Sequence, residues 1–256
     1  MGGGASFPVT VLHTENGGKH RAVNRAVKEA RGEYFTCLDS DDYLTPQAVE
    51  HYHAWIQAIK KEPDYRYFAG LSGLKVHEDG RSFGGTGTGA EYVDATAFEQ
   101  RKYNLGGEKN LVYKTRVLRA FPFAEFEGEK FLTEYVHPMI ALAGYKIRWY
   151  PVPTMVCEYL PDGLSNQGDT KHINSFDGYT FSSRFFLLLS YNRLRSRIYH
   201  TGSYGLTAEK KGLSSSEAAK RLGVSARFMK FSKIVFRIYF YSIRLYIIRI
   251  KSWFSR

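Results

Sequence analysis

The chain has two cysteines in 256 residues, Cys37 and Cys157, each in a strand-like apolar stretch. That argues against a disulfide framework and for a reducing compartment, with both thiols read as small core groups. There is no Cys-x-x-Cys, and His51 and His53 stand two apart on an expected helix, on different faces, which speaks against a zinc site. A Gly-x-Ser-x-Gly hydrolase signature is missing as well. The stretch GGTGTG, Gly84 to Gly89, lacks the Lys-Ser/Thr of a phosphate-binding loop and reads as a flexible connection able to act as a lid. The start, MGGGASFPVT, has neither a basic nor an apolar signal region, so a cytoplasmic chain is expected. No internal repeat is visible, and no apolar run approaches the ~18 residues needed to cross a bilayer.

What is present is a foldable composition, 43% apolar and 16% aromatic, sufficient for one large or two unequal domains. The net charge of +11 is unevenly spread: Lys230 to Arg256 holds seven basic residues and no acidic one. On a helix, Lys230, Lys233, Arg237, Arg244 and Lys251 fall in a stripe about 60° wide, with Ile, Leu, Phe, Tyr and Trp around it. One reading is a helix lying on an anionic membrane surface, at the inner face of the plasma membrane; the other is a helix packed on the rest of the protein or on a partner. The stretch Ser214 to Phe228 has the look of the first half of a DNA-binding helix-turn-helix, but the segment after it is too apolar for a wet groove. No nucleic-acid partner is expected. The division anticipated is a domain over 1–200 and a helical membrane-association segment over 201–256.

The element order is legible in the first quarter. Val9 to Thr14 alternates and is β-branched, which predicts a strand. Ala22, Ala26 and Ala30, beside Val23 and Val27, predict a helix that ends at Gly32. EYFTCL predicts a second strand, and Thr45 with Pro46 the start of a second helix carrying Val49, Tyr52, Ile56 and Ile59 on one face. Such alternation points to a mostly parallel sheet covered by helices, with ligands at the carboxyl ends of strands. Further on, YRYFAGLSGLKV and KNLVYKT predict strands, FLTEYVHPMIALAGY a helix closing at Gly144, and KIRWYPVPTMVCEYL a strand pair broken by prolines.

At the end of the second predicted strand stand three carboxylates in four positions, Asp39, Asp41 and Asp42. Like charges that close repel unless a cation relieves them. Either the segment is a polar turn, or it offers hard oxygen ligands from a short turn, which suits Mg²⁺ or Mn²⁺ shared with a diphosphate.

Asn16, Gly18, Ala22, Asn24, Ala30, Gly32, Glu33, Tyr34 and then Asp39 to Asp42 form a spaced series that resembles the family 2 glycosyltransferases, whose fold is the nucleotide-diphospho-sugar (GT-A) α/β fold. GGKH, RKYN, EKF, GYKIRW and EYLPDGLS extend the resemblance from Phe7 to Leu189. The resemblance implies inverting transfer of a sugar from a nucleotide diphosphate donor, a UDP-sugar first among them, to a hydroxyl of a saccharide or lipid-linked acceptor, in cell-surface polysaccharide or glycolipid synthesis. It implies that Asp39 faces the donor's ribose or sugar and that Asp41, with Asp42 beside it, holds Mn²⁺ or Mg²⁺ on the diphosphate. Asn16, Gly18, Lys19, His20 and Asn24 would line the donor pocket; a solvated basic helix face is the other reading of the basic ones. Glu134 would be the base, although Tyr135 replaces a second acid and a helix cap is the competing role; Asp162 is next in line. The family's opening strand–helix–strand unit has no counterpart here. That leaves two expectations, an enzyme seen without part of its nucleotide pocket, or a non-catalytic remnant serving as a membrane-bound binding or assembly subunit.

Overall fold

The computed structural model describes residues 7–133, 136–157, 169–190 and 193–239. They form an α/β protein whose chain divides into two compact units, 1–125 with 139–158, and 126–138 with 159–256.

In the first unit, residues 7–18 enter no strand pairing, and Phe7, Val9 and Val11 are exposed. Here the structure departs from the strand predicted at Val9 to Thr14. Alternation supplies a strand's side-chain pattern, but a strand also needs a neighbour for its backbone, and among the described residues none lies beside it. The helix α1 follows at Lys19–Glu29, then strand β1 at Tyr34–Thr36 and strand β2 at Asp42–Leu44. Helix α2 spans Ala48–Lys60, two residues later than Thr45 and Pro46 suggested: Thr45 Oγ1 donates to Pro153 O at 3.2 Å, and the Ala48 N–H closes a turn onto Thr45 O. Ala48, Tyr52 and Ile59 are buried, whereas Val49, expected on the same face, is exposed.

Strand β3 (Phe68–Val76), the short β4 (Val93–Ala95), β5 (Lys109–Lys114) and β6 (Lys146–Cys157) complete a six-stranded sheet in the order β1-β5-β3-β6-β2, with β4 also on β6. The strands expected at β1, β3 and β5 are present, and β6 is one strand where a broken pair was expected. Its prolines are accommodated where the register slips, between the pairs Ser72–Trp149 and Leu74–Pro153, so the missing N–H groups cost no regular ladder bond. The sheet is mixed: β3 with β6 is parallel, and the other four pairings among the described residues are antiparallel. Strand direction is set by how far the chain travels before it pairs, a non-local property that local alternation does not carry.

Tyr52 and Ile59 of α2 pack with Phe68, Leu71, Val112 and Tyr150 of the sheet, and the Trp55 ring stacks on Tyr150 at 3.9 Å. Nearly buried Arg148 clamps this layer, with Nε and Nη2 each 2.7 Å from the Asp94 carboxylate and Nη2 2.7 Å from Glu62. Helix α3 (Thr115–Ala120) leaves β5, and α4 (Val136–Leu142) ends before Gly144, whose φ of 86° suits the turn into β6.

The second unit is helical: α5 (Thr170–Asn174), α6 (Phe176–Leu189), α7 (Leu194–Lys210), α8 (Ser215–Leu222) and α9 over 226–239. Residue 200 therefore falls inside α7. Ser214 and Glu217 close a capping box on α8, and Gly223 ends it at φ 81°. Phe176, Tyr204, Ala218, Leu222 and Met229 share one core. A Cβ at Gly202 would come within 2.4 Å of Ser232 O, so the crossing of α7 and α9 requires glycine there.

The start of the basic tail is two-sided. Met229, Ser232 and Phe236 are buried, while Phe231, Ile234 and Ile238 are exposed. Lys233 and Arg237 both turn to Glu209 of α7. Residues 240–256, including Arg244 and Lys251 of the expected stripe, lie outside the described part.

Candidate functional site

The approach to α1 is built by two glycines. Gly18 takes φ 91° and ψ 159°, a conformation that L side chains rarely adopt, and its N–H donates to Asn16 Oδ1 at 3.3 Å. Helix α1 then starts with no side-chain cap and no acid in its first turn, where Lys19, His20 and Arg21 follow one another. The first-turn N–H groups, the positive end of the macrodipole and basic side chains thus share one spot, an arrangement that favours an anion. Arg21 folds back onto Gly17 O at 2.9 Å, with Nε 3.4 Å from Glu125. His20 is buried, and burial, reinforced by Arg21 and opposed by Glu125, holds its pKa below the usual imidazole value.

The four residues Asp39 to Asp42 form a turn between β1 and β2, closed by the Asp42 N–H on Asp39 O at 3.1 Å. Its carboxylates have three different environments. Asp39 accepts from Lys19 Nζ at 2.7 Å, which joins the turn to the start of α1. Asp42 points into the sheet, its side chain 7% exposed, with Lys75 Nζ 3.9 Å away. Beside it lies Cys157, its partner in the β2–β6 register, whose thiol pKa is pushed up to about 12 by burial first and by Asp42 second. Asp41 is exposed and makes no ion pair among the described residues.

The remaining anticipated residues are placed as follows. Asn24 spans two elements: Nδ2 donates to Phe123 O at 2.9 Å and to Glu125 Oε1 at 2.8 Å, and Oδ1 accepts from the Phe123 N–H at 2.9 Å. Its amide is thus occupied in tying 123–125 to α1. Glu134, its neighbour Tyr135 and Asp162 lie outside the described residues. Lys75 and Glu108, 3.7 Å apart, were not anticipated. Their signal in the sequence is faint: one lysine in the otherwise uncharged strand β3. Another is Glu129 of the second unit, a buried carboxylate accepting from the Asp177 and Gly178 N–H groups at 2.7 and 2.8 Å, and so capping α6.

Among the described residues no group of three or more His, Cys, Asp or Glu side chains is close enough to hold a metal ion unaided. Asp41 is the exposed carboxylate of the turn that could enter the shell of an Mg²⁺ or Mn²⁺ ion. Asp41 offers one outward carboxylate from a short turn, which is the usual protein share of an ion that completes its shell with phosphate oxygens and water.

Residues 5–62, which hold both the α1 approach and the Asp39–Asp42 turn, match the family described as Glycosyl transferase family 2. An uncharacterized glycosyltransferase of Rickettsia felis is 42% identical over 43 residues, 17% of this chain and 7% of that protein. The chain thus spans a small part of the length of that relative. In structure it is similar to S. aureus TarS residues 1–349, crystallised in complex with UDP-GlcNAc, with a TM-score of 0.52 and 15% identity over 90% of this chain and 75% of that one. The segment 5–62 is thus similar to the family 2 glycosyltransferases, and the fold is that of the GT-A protein TarS.

Proposed function

We propose that the protein transfers a sugar, with inversion, from a nucleotide diphosphate donor to a hydroxyl of a saccharide or lipid-linked acceptor in cell-surface polysaccharide or glycolipid synthesis. The observation that carries this is the Lys19–Asp39 ion pair, which sets the basic, uncapped start of α1 against the carboxylate turn inside the matched segment. A UDP-sugar is the donor of choice, supported by the UDP-GlcNAc held by the similar TarS structure.

In this reading the N–H groups of the first turn of α1 and Lys19 receive the diphosphate, and Asn16 keeps Gly18 in the shape that lets the backbone approach it. Asp39 faces the donor's ribose or sugar. Asp41 holds Mg²⁺ or Mn²⁺, which when bound supplies the charge that a departing diphosphate needs. Asp42 enters only as its neighbour. The acceptor oxygen forms its bond to the anomeric carbon as the carbon–phosphate-oxygen bond breaks. Glu134 takes the hydroxyl proton, and the electron pair leaves with the nucleoside diphosphate. Pre-aligned substrates supply much of the remaining rate.

The outward apolar face of α9, at Phe231, Ile234 and Ile238, and the excess of basic residues after it support a peripheral place on an anionic membrane. No helix of the described residues is long and apolar enough to cross one.

Release of nucleoside diphosphate from a panel of UDP-sugars, with and without hydroxyl acceptors, tests the reaction. Glu134→Gln should slow acceptor-dependent release by roughly 100- to 10,000-fold with donor affinity kept, the loss expected for a general base. Equal rates in the two proteins would return Glu134 to a capping role.

A further inference from the structure

Strand β3 is buried at every position but one, and that one is Lys75. A lysine there loses rotamer freedom and hydration that a valine or leucine would not, so its ammonium needs a partner. Its side chain is 17% exposed, with Nζ between two carboxylates, 3.9 Å from Asp42 Oδ2 and 3.7 Å from Glu108 Oε2. The three groups come from three places in the chain: β2, β3 and the residue before β5.

Asp42 needs this cation more than Glu108 does. Glu108 is half in solvent, whereas the Asp42 side chain is 7% exposed and its thiol neighbour Cys157 carries no compensating charge. Backbone pairing holds the Asp39–Asp42 turn only weakly, because β2 has three residues and pairs on one side only among the described strands. Side chains make up the difference at both ends. Lys19 ties down Asp39, Lys75 ties down Asp42, and Asp41 is left to face outward.

We propose that Lys75 is a positioning residue of the donor site: as the internal counter-ion of Asp42 it holds that carboxylate in the sheet and so fixes the turn that presents Asp41. Asp42 then serves as an anchor and not as a ligand. This rests on reading the turn as the place where the donor binds.

The test uses Mn²⁺ with UDP as probe, followed by calorimetry, and urea denaturation of the same proteins. Removing one partner of a nearly buried pair strands the other charge, while replacing both with neutral groups does not. Lys75→Met should therefore weaken Mn²⁺–UDP binding by roughly tenfold or more and lower the urea midpoint. Lys75→Arg should restore the affinity to within about threefold, and so should Asp42→Asn combined with Lys75→Met. Wild-type affinity in Lys75→Met overturns the proposal, as does a folded double variant that still binds poorly. If Lys75→Met does not fold, the double variant decides by the same two results. Should the wild-type protein bind no Mn²⁺–UDP, the donor reading fails, and the urea midpoints still judge the pair: no recovery in the double variant sinks it.

Discussion

Lys114 is buried behind β1, its Nζ donating to Tyr65 O at 2.7 Å and standing 3.4 Å from the centre of the Tyr65 ring. Burial, reinforced by Arg116 and opposed by Glu33, pushes its pKa from 10.5 down to about 8. Between those values the unfolded chain holds a proton that the folded one lacks, so this group makes stability rise as pH climbs through the window. Relative to Lys114→Met, the wild-type urea midpoint should gain between about pH 7.5 and pH 10. A constant difference across that range would mean that Lys114 stays charged in the folded protein. Such pairings mark the limit of what single residues disclose. Asp39, Asp41 and Asp42 are legible because they fall within four positions, and Lys19 because it opens a helix beside two glycines. Lys75 and Lys114 are not, because what each meets depends on which strands become neighbours.

Helix α9 has one face in a core and one exposed, where the residue pattern offered membrane and packing readings as alternatives. Ser232 and Phe236 face α7 near Gly202, while Phe231, Ile234 and Ile238 face outward. Of the basic stripe, Lys233 and Arg237 are spent internally on Glu209. Helical periodicity identifies faces but does not tell which face the rest of the chain will cover. Removing everything from Lys230 on would cut into a core, so the membrane reading is better tested on the outward face alone. Replacing Phe231, Ile234 and Ile238 by serine should leave the helical circular dichroism intact and release the protein from phosphatidylserine vesicles in a sedimentation assay. Wild-type binding should weaken with salt, as screening shortens the reach of the basic residues. Equal sedimentation of the two proteins would remove this face from any membrane role. Val9 to Thr14 teaches the same lesson for strands: its alternation is real, yet the segment pairs with nothing among the described residues.

For the molecule as a whole, the α/β class and the GT-A likeness were readable from the order of elements and the spaced series from Asn16 to Asp42. The antiparallel pairings around β3 and β6 were not, nor was the division of the chain at 125/126, because both arise from contacts between distant segments. In the proposed function the Asp39–Asp42 turn and the start of α1 form a site for a nucleoside diphosphate, with Asp41 holding its metal. The most direct measurement is calorimetric titration of UDP into wild type and Asp41→Ala, each with Mn²⁺ and with a chelator. Binding to the wild type should depend on Mn²⁺, and Asp41→Ala should weaken it by about tenfold or more, as loss of a hard oxygen ligand should. Equal Mn²⁺-dependent affinity in both proteins, or none in the wild type, would contradict it.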